Sequence, residues 1–133
     1  MYRPLIILNI NGDIIRKSKP ICTFPKSITR TKNGNIFVVD ECEGNGKVII
    51  IDDKEEEVNA YTGSNLTHDN KFTPENITAT ASDIVIITEP NERNIYFLTN
   101  SGQYITHYNT KHISILYNNN NNNKFVIYKE LHS

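Results

Sequence analysis

The chain has 133 residues, with 14 Lys and Arg against 15 Asp and Glu, for a formal net charge of −1. That length fits one domain able to bury about two-thirds of its unfolded surface, and the balance of charge gives no global field to draw in nucleic acid or an anionic membrane. Two cysteines, Cys22 and Cys42, form no CxxC pair and complete no zinc-ligand set, so no metal or other cofactor is expected.

The first apolar run, Leu5-Ile6-Ile7-Leu8, is soon interrupted by Asn9, Asn11 and Asp13. It fits neither a secretory signal nor a membrane span, and the expectation is a cytoplasmic protein without membrane association. Asn11-Gly12-Asp13 reads as a tight turn leading into Ile14-Ile15, which makes residues 5–16 a leading hairpin. The basic, polar stretch Arg16 to Pro20 then carries the chain to a new element.

From Phe24 a fuller unit begins, spanning residues 24–61. Phe24 to Thr31 alternates apolar and polar residues, Lys32-Asn33-Gly34-Asn35 is a turn, and Ile36-Phe37-Val38-Val39 is a buried strand. Asp40 to Gly46 reads as a loop, Lys47 to Ile51 as a second buried strand, and Asp52 to Glu56 as a hairpin turn before Val58 to Tyr61. The acidic run from Asp52 to Glu57 lacks the ligand spacing, the sixth-position Gly and the twelfth-position Glu of a calcium loop. Thr62 to Asn70 is a polar connection.

A second unit occupies residues 73–108. Ile84-Val85-Ile86-Ile87 is a strand, Glu89 to Arg93 breaks it, Ile95-Tyr96-Phe97-Leu98 resumes it, and Asn100-Ser101-Gly102 turns into Tyr104 to Tyr108. Pro74, Ile77, Thr78 and Thr80 repeat Pro25, Ile28, Thr29 and Thr31 at a spacing of 49 residues. Leu98 repeats Ile51 after 47 residues, and Ile51 repeats Leu8 after 43, so the length variation falls in loops. Self-similarity at this period, with about four strands per unit, marks antiparallel meanders stacked as propeller blades. Residues 109–133 form a divergent tail in which Asn118 to Asn123 is an unbroken asparagine run, read as a loop. The expected fold class is all-β, a single partial propeller whose terminal runs Leu5 to Leu8 and Phe125 to Tyr128 are candidates to close one sheet together.

At these units the chain resembles the NHL-repeat β-propellers. Pro74, Ile77, Asp83 to Ile87, Asn91 to Ile95 and Asn100-Ser101-Gly102 match that pattern, and Pro25, Ile28, Asn33 to Asp40 and Lys47 to Ile51 match it less fully. Thr88 stands where the strand-ending Asp of the family falls. The wording is most similar to the propeller that ends tripartite-motif proteins, and the resemblance implies a module that recruits protein or RNA targets. The RING and B-box Cys/His arrays that carry ligase activity there have no counterpart here.

Catalytic residues are not expected. His68, His107, His112 and His132 include one i, i+5 pair, His107 and His112, which does not share a strand face, and no serine sits in a GxSxG elbow. The expected function is a non-catalytic scaffold that presents loops to a protein partner. RNA binding through one face is the alternative, and an NHL-type enzyme is the least favoured. Lys17, Lys19, Lys71, Asn45, Asn91, Glu92 and Arg93 are the candidate partner-binding residues, with Arg93 also placed to form an ion pair between blades. With two full units and parts of others, the chain is expected to self-associate or to belong to a longer chain.

Overall fold

A computed structural model describes residues 2–42, 45–63, 71–111, 113–117 and 125–129, which form twelve β-strands and no helix. The leading hairpin pairs β1 (Ile6–Leu8) with β2 (Ile14–Lys17). A four-stranded antiparallel meander follows, built from β3 (Pro25–Arg30), β4 (Ile36–Cys42), β5 (Asn45–Ile51) and β6 (Glu57–Tyr61) in that spatial order. β7 (Asn76–Ala79), β8 (Val85–Glu89), β9 (Asn94–Leu98) and β10 (Tyr104–Asn109) form a second meander of the same order. β11 (Ile113–Tyr117) and β12 (Phe125–Lys129) form a separate antiparallel pair. The all-β, blade-like class read from the sequence is the class observed. The asparagine run, residues 64–70 of the polar connection, and His68, His112 and His132 lie outside the described residues.

Three expectations are corrected. Of the loop expected from Asp40 to Gly46, residues 40–42 belong to β4 and residues 45–46 to β5, paired through Asp40↔Lys47, Glu41↔Gly46 and Cys42↔Asn45, with Asp40 buried in the ladder; residues 43–44 lie outside the described residues. Ile84 lies just before the strand, its carbonyl accepting the Thr80 N–H, and β8 begins at Val85. The terminal runs do not share a sheet, since β1 pairs with β2 and β12 with β11.

The turns show how deep the repetition goes. Asn9 Oδ1, Asp52 Oδ1 and Thr99 Oγ1 each accept two backbone N–H bonds, from Asn11 and Asp13, from Lys54 and Glu56, and from Ser101 and Gln103. The third residue beyond each (Gly12, Glu55, Gly102) takes a positive φ, the conformation an Asx- or Ser/Thr-type turn of this shape requires. The leading hairpin is therefore the structural counterpart of the outer strand pairs β5–β6 and β9–β10.

Because side chains alternate along each strand, every sheet has two faces, and both faces of the central strands are covered. Phe37, Val39, Val48 and Ile50 of the first meander pack on Val85, Ile87, Tyr96 and Leu98 of the second, with Tyr61, Phe72 and Ile77 filling the seam. Ile36, Val38, Ile49 and Ile51 face the other way, against Leu5, Ile7 and Ile21 beside the leading hairpin. The result is a stack of hairpin, meander and meander. Double-sided burial explains why β4, β5, β8 and β9 read as nearly continuous apolar runs, each fully buried side chain contributing roughly 1.5–3 kcal/mol. The inner strands meet through hydroxyls: Ser27 Oγ accepts the Ile77 N–H (3.2 Å) and Thr29 Oγ1 the Ala79 N–H (3.0 Å), which satisfies the edge of β7.

Candidate functional site

Two carboxylates fix the ends of the second strands. Asp40 is fully buried, two residues before the end of β4, and accepts bonds from the Thr23 N–H (3.0 and 3.1 Å), the Thr23 hydroxyl (3.1 Å) and the Phe24 N–H (2.7 Å). Glu89, 1 % exposed, does the same at the end of β8. Its Oε2 accepts from the Thr73 N–H (2.6 Å) and hydroxyl (3.3 Å), and its Oε1 from the Tyr96 hydroxyl (2.5 Å) and the Asn94 amide (3.1 Å). Burial and this bond to Glu89 together raise the Tyr96 hydroxyl well above the ordinary tyrosine range. Since Ile28 pairs with Val38 and Ile77 with Ile87, Glu89 is the counterpart of Asp40. Thr88 is thus not the position of the strand-ending acid, which lies one residue further on with a side chain one methylene longer.

Above these clasps the two meanders share a cleft of about 80 Å³ lined by Lys26, Glu41, Gly46, Phe72, Thr73, Pro74, Glu75 and Asn91. The Lys26 ammonium sits between the Glu41 carboxylate (2.9 Å) of its own sheet and Glu75 (3.0 Å) at the entry to the next. Those two hydrogen bonds, Glu41 first, raise its pKa. Gly46 belongs there because its N–H donates to the Phe72 carbonyl at 2.9 Å, and a Cβ would collide with Pro74 and that same carbonyl. Thr73, Glu75 and Gly46 were not singled out as site residues from the sequence. The signal that could have found Thr73 and Glu75 is the repeated Pro-x-Ser/Asn context of the strand entries, Pro25-Lys26-Ser27 and Pro74-Glu75-Asn76.

The predicted binding residues divide. Asn91 lines the cleft, and Asn45 and Lys71 are exposed one residue away from the lining Gly46 and Phe72. Asn45 stands in β5 rather than in a loop. Glu92 and Arg93 are exposed in the β8–β9 turn, where the Asn109 amide donates to the Glu92 carbonyl (3.1 Å) and Arg93 takes a φ of 55°. Lys17 closes β2 and Lys19 follows it, pairing with Glu56 at 3.5 Å, so neither is brought to the cleft's lining. The ion pair between meanders expected at Arg93 is not formed among the described residues, and Lys26 makes it instead. The reason is position: Arg93 tips an exposed turn, whereas Lys26 lies on β3, directly beside the entry to β7.

At the opposite end the turns interlock. Asp83 accepts from the Lys32 N–H (2.7 Å) and the Asn100 amide (2.8 Å), and Asn33 and Asn35 donate to the Asn100 carbonyl (3.2 and 2.7 Å). The Asn100 bond, then the Lys32 bond, holds the Asp83 carboxyl below its usual range. Among the described residues, no three His, Cys, Asp or Glu side chains are grouped to hold a metal ion, and no helix is long and apolar enough to cross a membrane.

No protein-family model matches the chain, and no curated protein matches it. Among solved structures, it is similar to the crystal structure of a protein of unknown function from Bacteroides caccae, at 11% identity and a TM-score of 0.36, over 94% of this chain and 69% of that one.

Proposed function

We propose that the chain is a non-catalytic binding module of NHL-like propeller blades, which presents the cleft between its two meanders to a protein partner, in the manner of target recruitment by tripartite-motif propellers. The observation that carries this reading is the cleft itself, built from both meanders with one lysine held between two carboxylates. Its volume is far below the roughly 300–1,000 Å³ of small-molecule sites, and suits a single side chain inserted from a partner. With one cation against two anions, it favours a side chain that donates hydrogen bonds. Asn45, Lys71, Asn91, Glu92 and Arg93 give it a polar, exposed rim, as protein interfaces have. RNA is the weaker partner, because Arg16, Lys19 and Lys26 are each paired with a glutamate and a phosphate would have to displace it.

Selection from a displayed peptide library tests the proposal. Enriched peptides should share a basic or amide side chain and bind Glu75→Gln at least tenfold more weakly, with the circular dichroism of the variant unchanged. Failure to enrich any peptide, or RNA binding with a steep salt dependence and equal strength in both proteins, would sink it.

A further inference from the structure

The repetition supplies an internal standard for which surfaces a blade of this kind covers. Ile6 and Leu8 occupy on β1 the places that Ile49 and Ile51 hold on β5 and that Tyr96 and Leu98 hold on β9. The four counterparts are at most 3% exposed, whereas Ile6 and Leu8 are 50% and 54% exposed. At the other end of the stack, Tyr108 is the counterpart of Tyr61, yet it is 49% exposed against 8%. Tyr108 meets Phe97 edge to face, with ring centroids 5.8 Å apart, on the side of the second meander that faces away from the first. On that same side Ile86 and Ile95 are 5% and 3% exposed. The uncovered part is therefore the outer edge, at Tyr108 on β10, beside the half-buried Phe97 of β9.

The two uncovered surfaces are of complementary kinds. One is the outward face of an outer strand pair, and the other the outer edge of a meander's far face, and no described sheet packs on either. Within the chain, those two kinds of face already pack on each other, at the hairpin–meander and meander–meander seams. β1 also lacks what β5 and β9 possess: each of those is hydrogen-bonded on both sides, and β1 only to β2 among the described strands. The inner position it leaves empty uncovers Ile28, whose counterpart Ile77 is buried. A spare two-stranded sheet exists in β11–β12, hydrogen-bonded to no other described strand.

We propose that the occupant is a second copy of the chain, docked head to tail. Ile6 and Leu8 of one copy pack on Phe97 and Tyr108 of the other, and β11–β12 of that other copy takes the inner position beside β1, over Ile28. The described residues supply two whole meanders and two half-sheets, equivalent to three blades, and two copies of them make six, within the usual range of about four to eight. Two interfaces of this heterologous type close the ring, so assembly stops at the dimer. A self-paired hairpin edge is disfavoured, because a two-fold axis through β1 would place both first meanders on the same side of the shared sheet. The proposal rests on the blade geometry and not on partner binding, so its failure would leave the cleft reading standing.

Sedimentation equilibrium of the full chain should give twice the 15.2 kDa chain mass. Leu8→Glu and Tyr108→Glu should each raise the dimer dissociation constant at least tenfold without lowering the melting temperature of the single chain, since both side chains are exposed there. In a Cys42→Ser background, a mixture of Leu8→Cys and Tyr108→Cys chains should form a disulfide-linked dimer, and Leu8→Cys alone should not. A strictly monomeric protein at high concentration, a dimer indifferent to both glutamates, cross-linking of Leu8→Cys to itself, or growth beyond the dimer would each overturn the proposal.

Discussion

At the scale of single residues, buried polar groups decide where the chain is held. Asp40 and Glu89 are buried and surrounded by donors, which is the condition under which burial of a carboxyl group is tolerated. Glu89→Ala leaves the Thr73 N–H and the Tyr96 hydroxyl without their acceptor, and should destabilise the fold by about 3 kcal/mol. Urea denaturation checks this, and an unchanged midpoint would show that the clasp is dispensable. Cys22 adds a pH dependence. Burial, with the Asp40 charge second, pushes its thiol from 9.0 up to about 11. The folded state thus keeps a proton that the unfolded chain gives up earlier. That stability is complete below pH 9 and is lost as pH rises towards 11, by on the order of 2 kcal/mol. Thermal melts between pH 8 and 11 should fall more steeply for the native protein than for Cys22→Ala, and equal slopes would refute the assignment.

Among the elements, turns and seams set the register. Gly102 has a φ of +89°, and a Cβ there would press on the Ile50 side chain of the neighbouring sheet. Gly102→Ala therefore combines backbone strain with a clash, and should cost more than about 1 kcal/mol. Gly46→Ala meets the rigid Pro74 ring and the Phe72 carbonyl rather than a flexible side chain. It should both destabilise the protein and loosen the segment around Phe72, read as faster amide exchange at Gly46, whose N–H bonds the Phe72 carbonyl. Exchange rates matching the parent protein would argue that this seam does not depend on glycine. Residues 40–42 and 45–46 show why boundaries are hard to read: polar residues and a glycine look like a loop, but a buried acid and a paired partner strand hold these positions in the sheet.

Across the whole molecule, stability is distributed over seams between sheets. Ile50 is fully buried in the seam between the two meanders, so Ile50→Ala should cost about 2–5 kcal/mol. It should lower the unfolding of both meanders together, because the same contact supports each. Separate transitions, seen by fluorescence of tyrosines in different sheets and by far-ultraviolet dichroism, would show that the meanders fold independently.

The strands, their order and most turns were legible in the sequence, because double-sided burial demands apolar runs at β4, β5, β8 and β9 and a positive φ demands residues such as Gly34 and Gly102. The spacing of Pro25 and Pro74, and of Leu8, Ile51 and Leu98, was enough to define equivalent positions. The cleft was not legible. Lys26, Glu41 and Glu75 are ordinary surface residue types, and it takes the pairing of β3 with β4 and the side-by-side packing of β3 and β7 to set both carboxylates within 3.0 Å of the Lys26 ammonium. The same holds for the match of Glu89 with Asp40 and for the uncovered Leu8 and Tyr108. Local composition specifies which backbone a segment prefers, whereas the contact between two sheets depends on long-range register, which no stretch of a few residues encodes.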